Sequence, residues 1–531
     1  MRAFVLLAAA GRAEGPHFRF RGASGVREWP RLGGALLGPA GAWNALWRLG
    51  WPARPVEASA LATPSPGDRL FVAASGPLEN GVRQAVETWL DRGGSIVATG
   101  PGEAWSSFLP GVRLESAKHE HPYAALALLL PARAPEVLTP PGWSYVCARG
   151  AESDVERLGG LAALHGERQT PARALVSALE DAPAALRRGR FLYLNGDPFT
   201  ALQAWLQGQE DLGPWLAWRH RLFWLDEHVA SLGRLLAEWG GLPPETSGPG
   251  VAELPPTTVV LRHDLDSSRD TAYLDEEVSR GFGGVHGILK DANTRFWVER
   301  LRGHDEQEAS LHYNTLDSSW VGRRVEAVRG AGSAYRAARR DVTGAGLLRQ
   351  VRWARSRGIG IQTLLRHGAF LVYPEWVDAL HEVFEREPAV RGGSSLFRAQ
   401  ALRWGVDRVD GIRGSIAEFP DPQFPFWFPF RLAHAGLGGR MLRGWESTSV
   451  MEAEPELVEQ MLDYVVPGIP QRVLTLGYHP AHASRPTFAR EGVLPWFRRL
   501  LDRLRERGVA VRTLRDVYGA CDGALGDVRS P

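Results

Sequence analysis

The stretch Thr257-Thr-Val-Val-Leu-Arg-His-Asp-Leu-Asp266 places two carboxylates, Asp264 and Asp266, at the end of a run of β-favouring residues. Alternate residues of an extended strand share a face, so the two carboxylates are expected on one side. A pair held this way can divide labour, one binding a metal while the other accepts a proton. Taken alone, an Asp-x-Asp is also a common way to cap a following helix, here one beginning near Thr271. Three histidines add to the pattern. His312 closes the apolar run Ala309-Ser-Leu-His-Tyr313, His367 follows Arg366 after the strand-like Gly358 to Leu365, and His479 ends Thr475-Leu-Gly-Tyr-His-Pro480. Each histidine alone reads at least as well as a buried hydrogen-bonding side chain. Repeated placement at strand ends beside paired aspartates forms a metal constellation, because divalent cations take neutral imidazole and carboxylate.

Positioning such a set requires parallel strands with helices between them. Trp376, Val377, Leu380, Val383 and Phe384 fall on one face of a helix after His367. Carboxylates at the C-terminal end of a first barrel strand lie where α/β barrels build their active sites. Upstream, Gly240 to Pro256 (GGLPPETSGPGVAELPP) is rich in proline, glycine and small polar residues and reads as a linker. Before it, Arg69 to Ala74 reads as a buried strand, and Val82, Val86, Trp89 and Leu90 mark one face of a helix stopped by Gly93-Gly94. Ser95 to Thr99 and Arg190 to Leu194 follow as strands, with a closing helix from Leu222 to Trp239. This βαβ order predicts a parallel sheet with helices packed on it. Gly100-Pro-Gly102 lacks the third glycine of a dinucleotide loop, since Trp105 stands there.

Composition removes several classes of function. The chain has 531 residues, 44% hydrophobic and 23% charged, values of ordinary globular protein. With 62 basic and 60 acidic residues the net charge is +2, too small for an electrostatic footprint on nucleic acid. Lys118 and Lys290 are the only lysines, and neither follows a glycine, so a Walker A loop is absent. Neither lysine sits in a setting suited to a Schiff base. The surplus of arginine, with 60 Gly and 37 Pro, is read as nucleotide-composition bias. Two cysteines, Cys147 and Cys521, form no disulfide framework, zinc ribbon or CxxC pair. No apolar run reaches the roughly 18 residues that span a bilayer. Met1 to Ala13 has the outline of a short secretory signal, yet Ala3 to Ala10 reads better as the first buried strand of an α/β domain. A cytoplasmic location is expected, with secretion as the alternative. No period of 20–50 residues recurs, and the sequence says nothing of oligomeric state.

The segment GDRLFVAASGPLENGVRQAVETWLDRGGSIVATG resembles the class I glutamine-amidotransferase-like fold, including its trehalose-utilisation relatives, over residues 1–110. Active members carry a cysteine on a glycine-framed strand-to-helix elbow. Cys147 in Tyr145-Val-Cys-Ala-Arg-Gly150 has no such frame, and Ser75 lacks the flanking glycines of a serine elbow, so this part is expected to be non-catalytic.

The second half resembles the polysaccharide deacetylase (NodB-homology) family, in a divergent branch whose first motif reads Arg-His-Asp-x-Asp. The resemblance rests on LRHDLD at 261–266, LHY at 311–313, RH at 366–367, SSL at 394–396, YHP at 478–480 and the closing LPWFRRLLDRLRERGVAVRTLRDV. It implies a distorted (β/α)7 barrel and a metal-dependent hydrolase removing acyl groups from amides of N-acetylated sugars. Carried over, Asp264 matches the general base and Asp266 a metal ligand. His312 matches the first metal histidine and His479 the histidine that protonates the leaving amine. The family's second metal histidine lies four residues after the first; here Leu316 stands there, and His367 is the candidate third ligand, with His304 in reserve. Zinc is the expected cation. Phe424-Pro-Phe-Trp-Phe-Pro-Phe430 reads equally as an apolar wall for a sugar face and as core, and Trp445-Glu446 stays open in the same way. The expected organisation is an amidotransferase-like, flavodoxin-type parallel-sheet domain at 1–240, a linker at 241–256, a deacetylase-like barrel at 257–518 and a tail at 519–531. Three functions compete: a carbohydrate deacetylase, a non-catalytic descendant binding carbohydrate or protein, and, lowest, a metal-dependent glycosyltransferase.

Overall fold

Seven parallel strands close on themselves in the second half of the chain. They are β1 (Thr257–Asp264), β2 (Gly284–Ile288), β3 (Gln307–Tyr313), β4 (Thr363–Arg366), β5 (Gly392–Arg398), β6 (Trp445–Met451) and β7 (Arg472–Tyr478). Each pairs with the next, and β7 pairs back onto β1 with His263 opposite Tyr478, so the barrel has no free edge. The computed structural model describes residues 2–7, 17–22, 25–30, 34–51, 53–118, 125–129, 136–139, 144–150, 154–167, 170–206, 224–242, 251–266, 268–313, 344–366, 375–398, 428–434, 440–465, 468–469, 471–484 and 491–526.

The strands read as near-continuous buried runs because helices cover the outer face while side chains fill the lumen. Helix α2 (Ala272–Arg280) follows β1 and stops at Gly281, whose φ of 70° is the left-handed conformation of a helix C-cap. The helix Leu494–Glu506 lays Phe497, Leu500, Leu501 and Leu504 against the outer surface of β1 and β7. The last helix, Leu514–Leu525, opens with a reciprocal capping box between Thr513 and Asp516. The glycine-rich stretch before β4 contributes less strand than its pattern predicts, only Thr363–Arg366.

In the first half, five parallel strands stand in the order Ala53–Val56, Ala3–Leu6, Arg69–Ala73, Ser95–Thr99 and Phe191–Leu194. In chain order this is 2-1-3-4-5, the pattern of a doubly wound sheet. Ala3–Leu6 is a fully buried strand of that sheet. Two antiparallel strands, Ala185–Arg188 and Glu156–Leu158, extend one edge. A second sheet of four antiparallel strands (Ala125–Leu129, Glu136–Thr139, Gly160–Glu167, Thr170–Ala178) is inserted between the fourth and fifth parallel strands. Sequence reading did not anticipate it, because short alanine-rich segments carry little period-2 signal. Cys147 lies in the hairpin-like pair Arg113–Lys118 and Ser144–Arg149, and burial pushes its thiol up, away from nucleophilic use. Among the described residues, no helix is long and apolar enough to cross a membrane.

Helix α1 (Gly34–Arg48) joins the two halves. Asn44 donates to Arg431 O (2.9 Å) and accepts from Arg431 N–H (3.0 Å), while Trp47 Nε1 donates to Pro429 O (3.2 Å). Trp43 and Trp47 stack with centroids 5.7 Å apart, Trp47 meets Trp445 at 5.2 Å, and the Arg431 guanidinium lies 4.5 Å from the Trp445 ring centroid. Arg48 is fully buried, paired with Asp226 at 2.9 Å and donating to Gln471 O. Trp445 begins β6 and Gln471 precedes β7, so this joint lies at the N-terminal ends of the barrel strands. Phe428 and Phe430 are buried in it, which makes that end of the phenylalanine-rich segment core and not a sugar-facing wall; 424–427 lie outside the described residues. Trp47→Ala should cost about 3–5 kcal/mol, because it empties a ring-sized volume that backbone and aromatic neighbours cannot refill. Calorimetry should show the halves melting separately in this variant, where the wild-type chain melts in one transition.

Candidate functional site

Inward-facing residues of β1 alternate along the strand, so Arg262 and Asp264 both point into the lumen. Both side chains are wholly buried. Arg262 grips Asp264 in a fork, Nε to Oδ1 at 2.8 Å and Nη2 to Oδ2 at 3.0 Å. Its remaining donors reach Ser394 O (2.9 Å), Ser394 Oγ (3.1 Å), Ser449 Oγ (3.1 Å) and Arg366 O (3.1 Å). Burial pushes the Asp264 carboxyl up, but Arg262, followed by His312 and His479, outweighs it and holds the group below its ordinary range.

His312 stands between the two aspartates. Its Nε2 is 3.2 Å from Asp266 Oδ1 and its Nδ1 3.8 Å from Asp264 Oδ1. Gly287 on β2 leaves the space: a Cβ there would lie 3.2 Å from His312 Cβ and 2.9 Å from Leu365 Cδ1. Strand geometry ends at Asp264. Asp266 has φ of 40°, so it reaches His312 from a left-handed turn and not by simple strand alternation.

His479 arrives from the opposite side, with Nε2 3.8 Å from Asp264 Oδ2. Its orientation comes from Glu452, a residue that sequence reading missed. Glu452 Oε1 accepts from His479 Nδ1 (2.7 Å), His479 N–H (2.8 Å) and His482 Nδ1 (3.0 Å). With Nδ1–H committed to Glu452, Nε2 is the nitrogen offered to the lumen. Burial would lower the His479 pKa, but the Glu452 hydrogen bond and charge, with Asp266 and Asp264, raise it to about 9. Glu452 also has positive φ, 54°, and donates its N–H to Gly477 O (2.8 Å). The only sequence signal for it is a carboxylate directly after the run Ser447 to Met451. Nothing local connects it to a histidine 27 residues later.

Of the residues proposed from sequence, Asp264, Asp266, His312 and His479 therefore converge at the C-terminal ends of β1, β3 and β7. His367 and Leu316 lie outside the described residues. His304 does not qualify as a substitute ligand: it precedes β3, at the other end of a strand whose seven residues span roughly 23 Å. The donor chemistry of Asp266 and His312 suits a divalent cation. Their facing atoms, 3.2 Å apart, are close to the ~3.4 Å that separates two ligands of a tetrahedral zinc.

No family model matches this sequence, and no curated protein matches it. Solved structures give partial likenesses. Alpha-L-fucosidase isoenzyme 2 from Paenibacillus thiaminolyticus is 16% identical with a TM-score of 0.29 over 45% of this chain, which spans only 33% of the fucosidase. T48 deacetylase with substrate is 13% identical, TM-score 0.26, over 51% of this chain and 94% of that one. The Bc1960 peptidoglycan N-acetylglucosamine deacetylase, in complex with 4-naphthalen-1-yl-N-oxidanyl-benzamide, is 10% identical, TM-score 0.23, over 50% and 93%. Likenesses at this level leave the functional reading to the site's own geometry.

Arg262→Ala should lower unfolding free energy by about 3–5 kcal/mol, since it leaves the Asp264 carboxylate buried without its fork. Urea denaturation of the variant beside wild type measures this. A change below about 1 kcal/mol would mean that water or another cation already serves Asp264.

Proposed function

We propose that this chain is a metal-dependent hydrolase that removes an acyl group, in the first instance acetyl, from an amide of an N-acetylated carbohydrate. One arrangement carries the reading: a buried carboxylate, Asp264, stands between two histidines, each 3.8 Å away, and one of them, His479, is set by its own carboxylate partner. That is the disposition needed to accept a proton at one place and deliver one at another.

Asp266 and His312 would hold the cation, with His367 as the expected third ligand. When bound, the cation supplies Lewis acidity toward the acyl carbonyl. Asp264 accepts the proton of the attacking water, and the Arg262 fork keeps its oxygens aimed into the lumen throughout. His479, tied through Nδ1 to Glu452, delivers its Nε2 proton to the departing amine nitrogen. Glu452 stabilises the imidazolium before transfer and keeps the ring from rotating. The organisation into 1–240, 241–256, 257–518 and 519–531, with the first part non-catalytic, belongs to the same proposal.

A second reading has one observation in its favour. Both Asp264 oxygens are engaged by Arg262, which weakens Asp264 as a base, and this fits a descendant that binds carbohydrate without cleaving it. Elemental analysis and acetate release from N-acetylchitooligosaccharides separate the two. Wild-type protein should carry a divalent cation and release acetate. Asp266→Ala should lose both, whereas Asp264→Asn should keep the cation and lose turnover by about 10²–10⁴-fold. Sugar binding without acetate release from metal-loaded wild type favours the binding protein.

A further inference from the structure

His263 lies between Arg262 and Asp264 on β1 but points the other way, out of the barrel and under α2, where it is wholly buried. Both its ring nitrogens face acceptors. Nε2 is 2.7 Å from Glu277 Oε1 on α2, and Nδ1 is 3.3 Å from the carbonyl oxygen of Tyr478 on β7. A neutral imidazole carries one N–H and would set a lone pair against an oxygen at the other contact. Glu277 does not relieve this as a neutral acid. The carboxylate is the weaker base of the two by about two pH units, so the proton between them rests on the ring, and the His263 and His286 N–H groups facing Glu277 oppose the upward push of burial on its pKa.

The neighbouring histidine closes the proton inventory. Gln307 Nε2 donates to Phe282 O at 2.8 Å, which turns Gln307 Oε1 toward His286 Nε2 at 2.9 Å. His286 Nε2 is thereby a donor, and it lies 3.3 Å from Glu277 Oε2. Tyr273 and His286 sandwich the His263 ring, with centroids at 5.2 and 5.0 Å. His263, Glu277 and His286 also have the composition of a metal site. Two observations oppose that use. The 2.7 Å contact is a hydrogen-bond length, shorter than the ~3.4 Å between ligands on tetrahedral zinc, and His286 Nε2 is committed to Gln307.

We propose that His263 is a doubly protonated positioning residue: an imidazolium, held by the Glu277 carboxylate, that ties the strand end bearing Asp264 to the strand end bearing His479. His263 and Tyr478 are register partners, each one residue before a member of the site, so the ring sets how far β1 and β7 stand apart where Asp264 and His479 face each other at 3.8 Å. The catalytic part of this proposal rests on the hydrolase reading above; the protonation state does not.

The test uses the full chain labelled with ¹⁵N at the histidine rings. A long-range ¹H–¹⁵N correlation spectrum at neutral pH should show protons on both nitrogens of the ring whose signals vanish in His263→Gln. In Glu277→Gln the same ring should carry one proton. A lone-pair nitrogen on His263 in the wild-type spectrum, or His263 signals that move on chelation with EDTA, overturns the proposal. In kinetics, His263→Gln and Glu277→Gln should each lower kcat on the order of 10²-fold, with KM and bound cation unchanged. An unchanged kcat beside a lowered melting temperature overturns the positioning role. An imidazolium in a chain that hydrolyses no amide overturns the hydrolase reading and leaves the clamp standing.

Discussion

A guanidinium sealed inside a closed barrel cannot be left to water, and the placement of Arg262 organises much of the second half of this protein. Its donors are spent on Asp264, Ser394, Ser449 and the Arg366 carbonyl, which draws β1, β4, β5 and β6 onto one cation. Small hydroxyl residues on β5 and β6 are the necessary counterpart, since larger side chains would fill the space the fork occupies. The carboxylate that balances the charge is the one standing between His312 and His479. Structural neutrality and the chemistry of the site therefore share a single carboxylate.

The two ends of the barrel have different work. At the N-terminal ends of the strands, Trp43, Trp47, Trp445, Phe428 and Arg431 form an aromatic joint that fixes helix α1 against β6 and the segment before β7. At the C-terminal ends stand Asp264, Asp266, His312 and His479. Apolar packing is best where nothing need move or open, and polar groups are best where strand ends leave backbone available for turns. Helix α1 of the doubly wound half thus meets the barrel at the end remote from Asp264.

Two residues at those strand ends carry backbone cost. Asp266 and Glu452 both have positive φ without being glycine, and both present a carboxylate to a histidine of the site. Such conformations persist where surrounding contacts over-determine them. For Glu452 those contacts are three N–H donors on one oxygen and its own N–H on Gly477 O. Neither side chain would reach its histidine from a continued strand.

The sequence by itself determined the α/β alternation and the strand that ends in Asp264, and it offered Asp264, Asp266, His312, His367 and His479 as one candidate set, because period, strand-end position and residue type are local properties; the structure brings together the four that lie among the described residues. Only the tertiary structure decided what orders that set. Arg262 was in plain view two residues from Asp264, but its fork depends on both side chains facing one lumen, which requires the barrel to close. Glu452 and His479 sit 27 residues apart, each directly after one of two neighbouring parallel strands, and parallel pairing leaves no mark in the sequence between. The phenylalanine-rich segment and Trp445 were equally readable as binding wall or as core, since an aromatic side chain looks the same in either place. The joint with α1 settled Trp445, Phe428 and Phe430 as core, because burial is a property of what another part of the chain brings against them.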